Sequence, residues 1–304
     1  IATVRLAPQP DAEAWVELVL GAYNSGVGRW LLARQQTQAA YQRFEQLRDM
    51  HRQGEALTSL AAIAHWQGDY STAIAHWQHT HQLGERLGDI QEQLWGLLGE
   101  AEEYLVGAKW EPAISLVEQA NRIGEQRQDL TCEQFRRQAL LAQIRLRQGQ
   151  REEASRLALS ALDEVSELAA VALYLIEGYA SATAVLLALW VEHPQDNQFM
   201  VNARIACQAH SRYATTFRIA RPRSLLHRGI WQRIARHPKR AKHLFKRALR
   251  AAKHLKMPYE AACAHWHLSA MYDEDSPPQC SHESTAREVF QGLGIDDPHE
   301  LLLS

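Results

Sequence analysis

The run Ala61-Ala62-Ile63-Ala64-His65-Trp66-Gln67-Gly68-Asp69-Tyr70-Ser71-Thr72-Ala73 constrains this chain more than any other stretch. Upstream of Gly68, Leu57, Leu60, Ala61 and Ala64 recur at three and four residues, the spacing of one buried helical face. Gly68 and Asp69 interrupt that period with turn chemistry. Beyond them, Ala73, Ile74, Trp77 and Leu83 begin a second apolar stripe, and Gly84 and Gly88 prepare its end. Small residues such as Ala61 and Ala73 let the two helices approach closely, and Trp77 fills the space beside them. One hairpin of this kind cannot bury its own apolar face. It needs copies of itself to stack on.

The copies are present. Tyr70-x-x-Ala73 returns as Trp110-x-x-Ala113, as Arg151-x-x-Ala154 after Gly149, and as Pro238-x-x-Ala241 after His237. The anchor alanines lie 40, 41 and 87 residues apart, the last gap fitting two repeats with one degenerate anchor, and Ala286 follows 45 residues later. The order small residue, turn, aromatic, small residue is the tetratricopeptide pattern, whose usual period is ~34 residues. The spacing therefore predicts helices about a turn longer than usual; an unrelated helical bundle is the alternative. Ala, Leu, Gln, Glu and Arg dominate while Val and Ile are scarce, so no sheet is expected.

The reading is all-α: a tetratricopeptide-like helical-repeat superhelix, or α-solenoid, of about seven antiparallel helix pairs. Residues 1–304 form one domain, with a first pair over 11–47, three regular repeats over 51–163 and a degenerate pair over 168–213. A basic pair over 223–255 and a C-terminal pair over 259–296 complete it. Residues 1–10 read as a frayed lead-in. Turns are expected at Asn24–Gly28, Arg147–Gln150, His193–Asp196 and, as a mobile loop, Asp273–Pro278, with the final helix starting at Ser284. Because a repeat in such an array contacts only its neighbours, removing 259–304 should shorten it without unfolding repeats two to four.

A hydrophobic content of 46% with 22% charged residues is that of an ordinary soluble protein. Cys132, Cys207, Cys263 and Cys280 form no CxxC pair and read as reduced thiols, which suits a cytoplasmic location. Leu168 to Trp190 imitates a membrane span, but Glu177 near its middle is costly in lipid, so a long inner helix is the better reading. The first residue is Ile, consistent with a fragment of a larger parent.

Catalytic signatures are missing: no GxxxxGK[ST], HExxH, GxSxG or EF-hand loop occurs, and Gly26-x-Gly28 lacks the third glycine and preceding strand of a dinucleotide fingerprint. The chain reads as a non-enzyme, with no cofactor and no metal. His76 and His79 share a helical face, and Cys263, His267, Cys280 and His282 would be needed for any zinc site, but none has paired structural spacing.

Charge is the strongest chemical signal. Asn197 to Tyr259 holds sixteen of the 33 Lys and Arg residues and no Asp or Glu, so seventeen cations remain beside all 35 acidic residues. An anionic ligand, nucleic acid or an acidic partner surface would suit this segment, as would neutralisation by acidic neighbouring repeats. Arg221-Pro222-Arg223 stands where Pro222 can begin a helix whose amides attract anions, with His227 and Arg228 nearby. The candidate anion or acidic-partner set is Arg221, Arg223, His227, Arg228, Lys246, Arg247 and Arg250.

Trp95-Gly96-Leu97-Leu98-Gly99, Glu177-Gly178-Tyr179, Arg221-Pro222-Arg223, Met257-Pro258-Tyr259-Glu260 and Phe290-x-x-Leu293-Gly294 carry a resemblance. Over roughly residues 12–296 the chain resembles the tetratricopeptide-like C-terminal region of large bacterial signalling ATPases. Many of these carry a class III nucleotide cyclase or Ser/Thr kinase domain on the same chain. It is more distantly similar to the superhelical domain of maltose-regulator-type activators. The resemblance implies a non-catalytic scaffold or sensor region adjoining an ATPase. In place of a glycine usual in that family, this chain has Arg236-His237-Pro238 before Ala241 and Ala220 before Arg221.

The first helix of each pair lines the inside of such arrays. The tetratricopeptide register nominates Glu55, Thr58, His65, Trp95, Glu102, Arg136, Gln143, Arg223 and Ile230 for a concave groove that takes a protein or peptide. Trp66, Trp77, Trp110 and Trp231 are read as packing residues. The expected partners are thus a groove ligand and an acidic surface at the basic patch, with nucleic acid the alternative and no membrane.

Overall fold

The computed structural model describes residues 10–125, 127, 130–164 and 172–295. These form fourteen α-helices and, among the described residues, no strand. The helices pair as α1 (Pro10–Gly26) with α2 (Trp30–Leu47), α3 (Met50–Trp66) with α4 (Tyr70–Leu87), and α5 (Ile90–Val106) with α6 (Trp110–Gly124). The series continues as α7 (Thr131–Arg147) with α8 (Arg151–Glu164), α9 (Ile176–Glu192) with α10 (Asn197–Thr216), α11 (Arg221–Ile234) with α12 (Pro238–Leu255), and α13 (Pro258–Ser269) with α14 (Pro277–Gly292). Successive first helices begin 40, 40, 41, 45, 45 and 37 residues apart, the lengthened period that the alanine anchors set. The fold is an all-α helical-repeat solenoid.

Local chemistry explains the boundaries. Asp49, Asp69 and Asp89 each cap the helix that follows, accepting a hydrogen bond from the backbone N–H of Arg52, Thr72 and Glu92 respectively. Gly88 closes α4 in the left-handed conformation at φ 67°, while Arg48, Arg236 and Lys256 take the same conformation without being glycine. Close helix approach needs small residues at particular places. A Cβ on Gly99 would collide with the Trp77 ring, and one on Gly178 with the Phe135 ring.

Each first helix packs on its own partner and on the first helices of adjacent pairs, so α1, α3, α5, α7, α9, α11 and α13 form the inner layer. One core runs through most of the array, from Trp30 and Ile63 to Phe245 and Phe290. Trp66 is buried in it beside Trp30, at 5.9 Å between ring centroids, Trp77 is buried in a smaller cluster with Ala61, Ala64 and Ala73, and Trp231 packs 5.5 Å from Trp190. The apolar stretch Leu173–Glu192 is long enough to cross a membrane, yet most of it is buried inside the fold.

Several expected boundaries shift. Asn24 and Ser25 continue α1 to Gly26, so the first turn is shorter than Asn24–Gly28; Ser25 Oγ donates to Gly21 O as a helical residue does. α9 begins at Ile176 after a short 3₁₀ turn at Leu173–Leu175, and the expected start at Leu168 lies outside the described residues. The last helix begins at Pro277 rather than Ser284, because proline is preorganised for a first helical turn. The lead-in 1–9 and residues 296–304 also lie outside the described residues.

The larger correction concerns closure. The superhelix comes round far enough for its two ends to meet. Trp30 Nε1 donates to Leu255 O at 2.5 Å across 225 residues of sequence. Gly68, at φ +80°, lies so near Leu293 and Pro258 that a Cβ there would strike the leucine. α1 also touches the 3₁₀ turn Arg218–Ala220. Contacts limited to neighbouring repeats do not describe this molecule.

Candidate functional site

Closure turns the inner face from an open groove into a buried polar axis. Every inner helix from α3 to α13 contributes a charged group to it. On α3, His65 Nδ1 lies 2.9 Å from Glu103 of α5, and its Nε2 lies 3.5 Å from Glu177 of α9. Arg223 of α11 donates to Glu177 at 3.3 Å and to Glu260 of α13 at 2.7 Å. On α7, Arg136 grips Glu102 of α5 through Nε and Nη2, both at 2.5 Å. Trp77 Nε1 adds a hydrogen bond to Glu103.

Burial and pairing compete in setting these charges. Burial alone would raise Glu177, but Arg223 and His65 reverse that and hold its carboxyl well below the usual range. Burial would lower His65, yet Glu103 and Glu177 hold its imidazole well above its ordinary value. For Glu102 burial wins over Arg136, and its pKa rises to about 7. His210 and His227 stand with their Nδ1 atoms 3.3 Å apart beside Arg223, and burial pushes His210 down to about 3 and His227 well below normal.

A cavity of about 90 Å³ lies along this axis. Glu102, Glu177, Arg223 and His227 present polar groups to it, and Leu140 and Ile230 are among its apolar walls. Of the nine groove candidates, Glu102, Gln143, Arg223 and Ile230 line the cavity, and His65 and Arg136 bind carboxylates of the same network. Three lie elsewhere. Thr58 Oγ1 donates back to Gly54 O, Trp95 Nε1 donates to Glu133 at 2.7 Å, and Glu55 pairs with Arg52 at 2.9 Å. Thr58, His65, Trp95, Glu102, Arg136 and Ile230 are all buried, which corrects the expectation of an open groove built from them. Sequence reading named Glu177 and Glu260 only within stretches that carry the resemblance, and Glu177 as a charge inside an apolar run; neither they nor His210 were nominated for the site. That isolated charge was the available signal, because a carboxylate amid core residues needs a partner.

The basic segment divides by helical period. On α11, Arg221 and Arg228 are exposed while Arg223 and His227 turn inward, two residues being more than half a turn. Arg223 and His227 therefore leave the anion-binding set: the first is held between carboxylates and the second is buried. Outside, Arg218, Arg221, Arg247, Arg250 and His254 surround a cleft of about 340 Å³ between α11 and α12. A second cleft of about 550 Å³ collects Arg204, Arg212 and Arg228 beside Trp231. Lys246 is exposed on the same helix as Arg247 and Arg250.

The residues considered for metals are not gathered together. Cys263 and His267 face the axial cavity, whereas His265 points the other way and meets His282 at 2.8 Å. His51, Asp89 and Glu92 do converge, a grouping that the sequence did not suggest. Asp89 caps α5 and Glu92 sits beneath it with no exposed surface. Burial, opposed by His51, raises Glu92 to about 7.

No family model matches the chain, and no curated protein matches it. Among solved structures it is similar to the crystal structure of BtubC (BKLC) from P. vanneervenii, at 16% identity and a TM-score of 0.50. The match covers 74% of this chain and 92% of that one. That likeness shows the fold.

Proposed function

We propose that this protein is a non-catalytic interaction module whose docking surface is the outer basic cleft rather than the concave groove. The observation that carries the reading is the placement of charge. The inner cations are taken up by inner carboxylates, while Arg218, Arg221, Arg247, Arg250 and His254 share one cleft with no acidic residue among its lining. Such a surface attracts and orients an acidic partner. The partner is an acidic segment of another domain, in keeping with the resemblance to regulatory regions of bacterial signalling ATPases, cyclases and kinases. The four free cysteines and the buried α9 support a cytoplasmic protein. No catalytic family is evident, and the helical fold fits a role without turnover.

Nucleic acid is the second reading, favoured by the same arginines. The two separate by salt dependence, because phosphate contacts release counterions and lower log affinity by ~0.9 per contact per decade of salt on duplex DNA. The test compares an acidic peptide rich in Asp and Glu with random duplex DNA across a salt series. The expected result is peptide binding that survives near-physiological salt and is lost in the double variant Arg247→Glu, Arg250→Glu. Tight duplex binding at that salt, lost in the same variant, would establish the nucleic-acid reading instead.

A further inference from the structure

We propose that His51, Asp89 and Glu92 form a binding site for a divalent transition-metal ion, zinc fitting best, which ties the start of α3 to the start of α5. The site shares no residue with the outer cleft and stands apart from the docking role.

Geometry carries the argument. One donor atom from each of the three side chains lies within 4.8 Å of the other two. His51 Nδ1 is 2.8 Å from Glu92 Oε1 and 3.5 Å from Asp89 Oδ2. Zinc holds nitrogen and oxygen ligands at about 2.0–2.2 Å, so a tetrahedral ion keeps neighbouring ligand atoms about 3.3–3.6 Å apart. His51 is half exposed, so a small turn of its ring brings the three atoms to such separations.

Glu92 is the observation that points to a ligand. Its side chain has no exposed surface, yet neither carboxylate oxygen accepts a hydrogen bond. His51 Nδ1 comes close to Oε1 but out of line for one. A buried carboxylate without donors is costly unless an ion supplies the missing charge. The chain is shaped to hold it there: a Cβ on Gly54 of α3 would fall 2.7 Å from Oε1 and 2.9 Å from Oε2. Asp89 uses Oδ1 to cap α5 through Glu92 N, which leaves Oδ2 facing His51. Asp89 and His51 are both partly exposed, which gives an ion its way in.

Charge and the surrounding contacts select the ion. Asp89 and Glu92 carry two negative charges beside one imidazole, and a divalent ion balances both while the ring binds as the neutral form. An imidazole ligand favours a first-row transition ion over magnesium or calcium, which take oxygen ligands. Behind the ring, His51 Nε2 lies 3.8 Å from Glu55 Oε1, and Arg52 holds Glu55 at 2.9 Å. A carboxylate on that side keeps the proton on Nε2 and leaves the Nδ1 lone pair for the metal, the usual support of a histidine ligand. Water fills the fourth position. Sequence spacing hides the site, because His51 stands 38 and 41 residues before its two partners.

The experiment is calorimetric titration of the metal-free full chain with zinc chloride, magnesium chloride in parallel, and thermal melting in each ion. One equivalent of zinc should bind and raise the melting temperature, and magnesium should do neither. His51→Ala removes a half-exposed ligand, and Glu92→Gln keeps the shape of the buried one; each should weaken zinc at least tenfold. Cys280 and His282 are the competing zinc donors, so the double variant Cys280→Ser, His282→Gln should bind zinc as the unaltered chain does. Absence of zinc binding, an equal response to magnesium, zinc affinity unchanged in His51→Ala or Glu92→Gln, or binding lost in the Cys280, His282 variant would each overturn the assignment.

Discussion

Arg223 is the residue on which most of the interior's charge depends. It sits between Glu177 and Glu260 and stacks within 5.0 Å of the Tyr259 ring. Removing it strands two buried carboxylates, so Arg223→Met should destabilise the fold by about 3–5 kcal/mol in chemical denaturation. An effect below 1 kcal/mol would mean that water already solvates those groups. The neighbouring histidines make a separate prediction about acid. His210, His227 and His267 are kept neutral by burial, His210 and His267 down to about 3. Their depressed folded values mean that the stability they contribute is complete above about pH 6.5 and is lost as pH falls, by about 1.4 kcal/mol per pH unit for each. His65 has the opposite sign: its raised value contributes fully below about 6.5 and fades as pH climbs through its folded value. Stability should therefore peak near neutrality. These three histidines together should take up about three protons on unfolding at pH 5, and His227→Gln should remove one of them.

At the scale of the helix, the caps and turns carry the repeat. Asp69 accepts from Thr72 N and Ser71 Oγ, and despite the opposing effect of burial these bonds lower its carboxyl pKa. Asp69→Ala should cost about 1 kcal/mol, measured as a shift in denaturation midpoint, without changing helical content at 222 nm. Arg236, before the anchor alanine of α12, occupies the left-handed region at φ 58° where the resembled family has glycine. The strain there is about 1–2 kcal/mol for a non-glycine residue, against about 0.5–1 kcal/mol for glycine's extra freedom when unfolded. Arg236→Gly should thus stabilise by about 0.5–1 kcal/mol; a loss would show that the Arg236 side chain does more in the turn than its backbone costs.

Across the whole molecule, closure changes what truncation should do. Leu255, Pro258 and Leu293 cover Trp30 and Gly68 from the far end of the sequence, and Glu260 completes the ion-pair chain that reaches His65 through Arg223 and Glu177. Deleting 259–304 removes Leu293 and Glu260 and leaves Leu255 on Trp30. The expected outcome is faster amide exchange in α3, ten helices before α13, and a lowered melting temperature for the remainder. Unchanged exchange in α3 would return the molecule to a neighbour-only array.

Local pattern determined a great deal. Ala73, Ala113, Ala154 and Ala241 marked the second helix of a pair because a small residue after a turn is a local requirement of close packing. The register on the inner helices followed from the 3.6-residue period, which is why Glu102, Gln143, Arg223 and Ile230 could be brought to one face from sequence and line one cavity in the structure. The curvature of the superhelix was not legible, since it accumulates from small rotations between pairs that no single segment encodes. Curvature alone decides that Trp30 meets Leu255, that Arg223 lies between Glu177 and Glu260, and that an expected groove becomes a closed axis of ion pairs. The basic segment was plain as composition, but only helix packing turned Arg223 inward and left Arg221, Arg247 and Arg250 around the outer cleft.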